Sequence, residues 1–269
     1  QVNLAQRFRV EPAPHAAALY RLLREESPAP FSSLVTTREG GIVSSSPERF
    51  FRIDGDSIET WPIKGTRPRG RTAAEDLAQA RALQASAKDR AENVMIVDLE
   101  RNDLGRVCEP GTVRVARYGE LRSFANVHHL VSVVEGRLRE RLHTIHLLRA
   151  AFPGGSVTGA PKIRAMEIIH ELEPERRGVY TGAIGCFRGL RFAELAVGIR
   201  TAVVSGGALS LHAGGGIVAD SDPEAEYEES LDKALLFLTL ARETSRGRGT
   251  MRAEPDRSSL LDRPVLAPK

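Results

Sequence analysis

A lysine in the run "WPIKGTRPRG", residues 61–70, and two pairs of acids set the chemistry this sequence could perform. Lys64 stands between an isoleucine and a glycine, where a strand-like stretch enters a turn. A lysine there is ordinarily a solvated charge, but one withdrawn from water becomes an amine nucleophile able to form a covalent intermediate. The acids are Asp89 and Glu92 in "KDRAEN" and Glu226 and Glu229 in "EAEYEES". Each pair is three residues apart within a helical pattern, so each presents two carboxylates in one direction. Taken singly, each pair is a solvated helix surface. If the two helices face each other, four acids converge, and Mg²⁺ suits that arrangement. It takes a few carboxylates, keeps several waters and leaves room for an anionic substrate.

Two glycine-rich runs offer backbone amides. "GGSVTGAPK", residues 154–162, has the glycine separation of a phosphate loop, but Ala160 and Pro161 stand where Lys and Ser/Thr are required. The nucleotide reading therefore fails. Free N–H groups ahead of a helix remain, with Pro161 in its first turn, and such a site could hold a carboxylate. "HAGGGIVADS" offers a second run of amides, where glycine allows close ligand approach. The plain alternative for both is a tight turn.

The elements that must position these groups alternate in kind. Residues 1–63 read as strands around one helix near "AAALYRLLREE". From 72 to 107 the pattern is helical. Thr72 and Glu75 form a capping box before "AAEDLAQARALQAS", and "KDRAENVMIVDLERNDLGR" follows as a second helix with Gly105 near its end. Residues 112–137 return to strands, "LHTIHLLRAAF" is a short helix, and the glycine-rich loop leads into another. Three strand-like runs and a final helix from Pro223 to Arg242 complete the pattern. Clustered antiparallel strands with helices inserted predict an α+β layered fold. Residues 1–242 are expected to form one catalytic domain and 243–269 a flexible basic tail.

With 269 residues, 41% apolar and 27% charged, the chain can bury a substantial core as an ordinary globular protein. The net charge of +3 is concentrated partly in the Arg-rich last stretch, with neither aromatic interleaving nor a nucleic-acid motif. No apolar run reaches the roughly 18 residues of a membrane span, and no signal peptide is visible. Cys108 and Cys186 have no metal-type spacing and are expected to be buried single thiols in a cytoplasmic protein. The first residue is Gln1, leading at once into "VNLAQRF", which suggests a start inside a longer chain.

Taken together, "SSSPERF", "PIKGTRPRG", "DRAENVMIVDLERNDLGRVCEPGTV", "HHLVS", "GGSVTGAPKIRAMEII", "YTGAIG", "GIRTAVV" and "HAGGGIVADSDPEAEYEESLDKA" closely resemble the chorismate-utilising enzymes. The motifs keep that family's order across residues 1 to 242. The resemblance implies a large sandwich of two antiparallel sheets wrapped by helices, lacking the N-terminal lobe that longer members carry. It implies Mg²⁺ held directly by Glu92 and Glu229, with Asp89 and Glu226 bridged through water; many relatives have Glu in place of Asp89. It implies a clamp on the enolpyruvyl carboxylate formed by Arg200, Tyr180 and backbone N–H groups near Gly214 and Gly216. Arg suits this because a guanidinium grips a carboxylate with two hydrogen bonds. Lys233 would neutralise part of the acidic cluster, while His129 and Ser156 match positions that touch the ring.

Position 64 separates branches of the family, since "PIKGT" is similar to the branch that aminates chorismate at C4 rather than to those forming anthranilate or isochorismate. Lys64 would then attack C2 of chorismate and displace the C4 hydroxyl, and ammonia would add at C4 and expel the lysine. Deprotonating a free lysine at pH 7 costs about 4.6 kcal/mol. Apolar neighbours or a bound cation could lessen that cost, while four carboxylates would increase it. Glu48 in "SPERF" matches the acid that protonates the departing hydroxyl, a task that requires a raised pKa. No glutaminase signature is present, so the resemblance implies a separate glutamine amidotransferase subunit. The alternatives are an anthranilate-forming large subunit and a non-catalytic chorismate-binding module.

Overall fold

A computed structural model describes residues 1–245 of the chain. It contains two antiparallel sheets, as the strand-rich pattern predicts. The first is ordered β1–β12–β11–β3–β2, formed by Val2–Val10, Ala208–Ile217, Thr201–Ser205, Gly40–Ser46 and Phe31–Thr37. The second has the path β6–β8–β5–β4–β10–β9, formed by Ile63–Pro68, Val127–Arg137, Ser57–Trp61, Arg49–Asp54, Phe192–Val197 and Ala183–Phe187. A seventh strand, β7 (Arg114–Ser123), pairs with β8. Tight turns fix the local hairpins. At the β11–β12 turn, Gly206 and Gly207 have φ of +58° and +78°, the left-handed pair that matches strand twist.

Each sheet has its own apolar cover. On the first, Leu19 and Leu23 of α1 (Ala16–Glu26) and Ala234, Phe237, Leu238 and Ala241 of α6 (Pro223–Ser245) pack on Val43, Ala202, Leu209 and Leu211. On the second, Val97 and Leu104 of α3 (Ala87–Gly105) and Leu147 and Ala151 of α4 (Thr144–Ala151) meet Phe51, Ile53, Ile58, Val134 and Leu195. Each buried Val, Leu, Ile or Phe among them contributes roughly 1.5–3 kcal/mol. The capping box is present: Thr72 starts α2 (Ala73–Ala85), and Thr72 and Glu75 satisfy each other's backbone N–H groups. Among the described residues, no helix is long and apolar enough to cross a membrane.

Three expectations change. Pro161 caps α5 (Lys162–Leu172) rather than lying in its first turn. Cys108 is buried, but Cys186 is exposed because β9 is an edge strand with β10 on one side only. Helix α6 carries residues 243–245, so the expected tail begins later; the rest of it lies outside the described residues.

Candidate active site

The two sheets are joined by neighbouring crossings, β3 into β4 and β10 into β11. Val197 N–H donates to the Glu48 carbonyl at 3.0 Å and Ser45 N–H to the Arg200 carbonyl at 2.9 Å. Ser46 Oγ donates to the Val197 carbonyl at 2.7 Å, and Ser44 and Thr201 hydroxyls meet at 2.8 Å. Glu48 and Arg200 therefore sit side by side at the seam. Arg200 adopts φ +49°, a left-handed conformation uncommon for a side-chain-bearing residue and frequent at functional sites.

Lys64 reaches this seam from β6. Its side chain is 11% exposed, and Nζ lies 4.0 Å from Glu92 Oε2. Burial holds its pKa below that of a free lysine, against the pull of Glu92, Glu48 and Glu229. Gly65, next in the chain, has φ +76°, and a Cβ there would lie 2.7 Å from Leu83 Cδ1 and 3.0 Å from Asp89 Cγ. The "KG" pair thus lets β6 pass closely beneath α2 and α3. Glu48 is buried, and that burial raises its carboxyl to a pKa of about 7 even though the Ser156 hydroxyl bonds it and Lys64 lies nearby. The site therefore holds an amine that binds its proton less tightly than a free lysine and, near neutral pH, a carboxyl that retains much of its proton.

The four acids line the cleft between α3 and α6, each with a cationic neighbour. Arg67 lies 3.1 Å from Asp89, Lys88 Nζ 3.1 Å from Glu226 and 4.0 Å from Glu92, and Lys233 Nζ 2.5 Å from Glu229. Ser221 Oγ also donates to Glu226 at 2.7 Å. Among the described residues, no three His, Cys, Asp or Glu side chains gather around one point. The expected convergence is thus of two facing helices whose acids are spread among ammonium and guanidinium groups. Carboxylates brought together need compensating charge, and here side chains provide it.

The chemistry of the donors is nevertheless the kind a hard divalent cation takes. They are all carboxylates, and Glu92 feels the charges of Asp89 and Glu229. Lys88, half exposed, holds its ammonium between the acids of the two helices, where a cation is favoured. The surface over Gly215 is kept clear, since a Cβ there would lie 3.1 Å from Glu226 Oε2 and 3.7 Å from Glu229 Oε1. Glu92 is raised by burial, against Lys64 and Lys88; Glu229 is lowered, with Lys233 overcoming its burial.

The remaining groups surround the same space. His129 Nδ1 lies 3.0 Å from Thr66 Oγ1 and 3.3 Å from the Gly65 carbonyl, and burial lowers its pKa to about 4, leaving a neutral ring. Tyr180 stacks on His212 with ring centroids 5.4 Å apart, and burial lifts its hydroxyl to about 12. The Arg200 guanidinium feels Glu229 and Tyr180 and donates no hydrogen bond to a described residue. Gly214 and Gly216 pair with Ala5 and Asn3 across β1. The N–H groups of Ala5 and Asn3 turn the other way, to Glu173 Oε1 at 2.9 Å and the Thr158 carbonyl at 2.9 Å. These are therefore the non-hydrogen-bonded pairs of the ladder, and the amides of Gly214 and Gly216 face the opposite edge of β12. Partner strand β11 covers that edge only as far as Leu211. The Gly214 carbonyl accepts from Lys233 at 2.9 Å on that open edge.

Sequence reasoning missed a buried ionic group behind Glu48. Glu100 and Asp103 occupy inward positions of α3. Lys162 Nζ lies 2.5 Å from Asp103 and donates to the Ala151 carbonyl at 3.1 Å. Burial raises Glu100 to about 8, with Asp103 adding to the effect. The available signal was that these acids continue the stripe of Ile96, Val97 and Leu104, where an apolar face is expected.

Residues 1–239 match the model of the chorismate binding enzymes. The chain belongs to this family. The chain is 50% identical over 233 residues to aminodeoxychorismate synthase component 1 of Salmonella typhimurium, covering 87% of this chain and 51% of that protein. It is 48% identical over 243 residues to anthranilate synthase component 1 of Streptomyces coelicolor, covering 90% and 48%. Anthranilate synthase component I of Streptococcus pneumoniae superposes with a TM-score of 0.80 at 40% identity, covering 88% of this chain and 52% of that one. The chain thus spans about half the length of these relatives. The implied two-sheet sandwich is the one observed.

Proposed function

We propose that this chain carries the catalytic site of an aminodeoxychorismate synthase, converting chorismate and ammonia to 4-amino-4-deoxychorismate, a precursor of 4-aminobenzoate and folate. The observation that carries the reading is the buried Lys64, its pKa lowered, beside a Glu48 carboxyl that retains much of its proton near neutral pH. Several relatives at about half identity, named aminodeoxychorismate synthase component 1, support it.

In this mechanism the neutral Lys64 amine attacks C2. The ring double bond shifts, the C4–O bond breaks, and Glu48 gives its proton so that water leaves. Ammonia adds at C4, the double bond shifts back, and the C2–N bond breaks to free Lys64 as a neutral amine. The new C4 ammonium returns a proton to Glu48, which closes the cycle. Covalent catalysis of this kind divides one hard substitution into two easier ones. Arg200, Tyr180 and the Gly214 and Gly216 amides hold the enolpyruvyl carboxylate, while His129 and Ser156 flank the ring. Glu92 and Glu229, with Asp89 and Glu226 through water, would hold Mg²⁺; Lys233 balances part of their charge. A bound Mg²⁺ supplies positive charge to the ring carboxylate. "Component 1" in the relatives' names supports a partner, which we assign as a glutamine amidotransferase delivering ammonia.

The test is product identification by mass, with chorismate, Mg²⁺ and an ammonium salt at mildly alkaline pH. A product that keeps the enolpyruvyl group and exchanges hydroxyl for amine is expected. Anthranilate with pyruvate would instead establish the second reading, which the anthranilate synthase relatives favour. Chorismate binding without turnover would identify a binding module.

A further inference from the structure

Gln1 holds a carboxamide that the fold does not use. Both Gln1 Nε2 and Oε1 are buried and have no hydrogen-bond partner among the described residues. A buried amide without partners costs on the order of 1–3 kcal/mol, so its retention calls for a use. The main chain around it is firmly tied. The Ala160 N–H donates to the Gln1 carbonyl at 3.1 Å, and Gln1 nitrogen donates to the Ala160 carbonyl at 3.1 Å. Two residues on, Asn3 Nδ2 donates to the Ser156 carbonyl at 2.6 Å. Gln1 is therefore fixed against the loop that carries Ser156.

On its other side the carboxamide lies on Gly216. A Cβ at Gly216 would stand 2.1 Å from Gln1 Nε2, so only a glycine lets the amide occupy this place. Gly216 is also one of the two residues whose N–H groups face the open edge of β12. We propose that Gln1 is a substrate-contacting residue, its Nε2–H donating to the enolpyruvyl carboxylate beside the Gly214 and Gly216 amides. This assignment rests on the functional reading above. A neutral amide suits the role, because Arg200 already supplies the positive charge and a carboxamide can donate without attracting the acids of α6.

The experiment is calorimetric binding of chorismate in Mg²⁺ to the wild-type chain, Gln1→Met and Gln1→Asn, repeated with an analogue lacking the enolpyruvyl carboxylate. Gln1→Met keeps length and removes both polar atoms. It is expected to weaken chorismate binding roughly 10- to 150-fold, the loss of one hydrogen bond to a charged group. Its affinity for the analogue should match that of the wild-type chain. Gln1→Asn, one methylene short, should fall between the two for chorismate. Equal chorismate affinity for wild type and Gln1→Met would overturn the assignment. An equal loss for chorismate and analogue, with a lowered melting temperature, would overturn it too and mark Gln1 as structural. A wild-type chain that binds no chorismate removes the functional reading itself, and this assignment with it.

Discussion

Lys64 Nζ stands 4.0 Å from Glu92 Oε2, and both side chains are almost wholly withdrawn from solvent. The pair couples a proposed nucleophile to a proposed cation ligand: positive charge placed on Glu92 and Glu229 would reduce their hold on the Lys64 proton. Adduct formation at Lys64 should therefore be faster with Mg²⁺ than in chelator. Intact-mass kinetics with chorismate and no ammonia check this, and equal rates in chelator would sink the coupling. Lys64→Ala should lower amination by roughly 10⁴-fold or more, as loss of a covalent nucleophile does.

Glu48→Gln tests the proposed proton donor. The group is useful while protonated, so with a pKa of about 7 the wild-type kcat/KM should decline as pH rises past neutrality. The variant should be slower by about 10²–10⁴-fold and should lack that decline. A pH–rate profile in ammonium buffers measures both. An unchanged alkaline limb in Glu48→Gln would assign the titration to another group.

Glu100→Gln concerns folding stability. Burial raises the folded pKa of Glu100 from 4.5 to about 8. A carboxyl raised on folding contributes its full stability below the unfolded value and loses it as pH rises through the folded one. Wild type and variant should therefore melt alike near pH 4.5 and diverge toward pH 8.5. The variant should be the more stable there by a few kcal/mol, which is several degrees in Tm. Parallel melting curves across that range would refute the account.

Gly65→Ala and Gly55→Ala separate backbone strain from site geometry. Both residues have positive φ, +76° and +66°, so each substitution should cost about 1 kcal/mol or more. Around Gly55 a Cβ meets nothing within 4 Å, whereas at Gly65 it strikes Leu83 and Asp89. Gly65→Ala should therefore also displace Lys64 and lower kcat, while Gly55→Ala lowers Tm alone. Equal kcat in the two variants would count against a positional role for Gly65.

Much of this was legible because it was local. The Thr72–Glu75 box and the shared faces of Asp89 with Glu92 and Glu226 with Glu229 depend on spacing along one helix. What the sequence could not show depends on how elements are ordered in space. Cys186 is exposed because β9 received no second neighbour, a fact of strand order rather than of residues 183–187. The cations that accompany the acids come from three other places, Arg67 on β6, Lys88 beside Asp89 and Lys233 one turn beyond Glu229. The inward position of Glu100 and Asp103 depends on which face of α3 meets the second sheet.

The pairing of β1 with β12 has a consequence for how the molecule comes together. Val2 to Val10 are the first strand made among the described residues, yet they pair with Leu209 to Ile217, near the last. Joining ends so far apart carries a loop-closure entropy that slows the search for native pairing. Until β12 emerges, β1 waits with an exposed edge. The second sheet can form its neighbouring hairpins during synthesis, whereas Gln1, Gly214 and Gly216 can meet only once β12 has been made and joins β1. The proposed substrate clamp is thus a late product of assembly, and its appearance reports that β1 and β12 have joined.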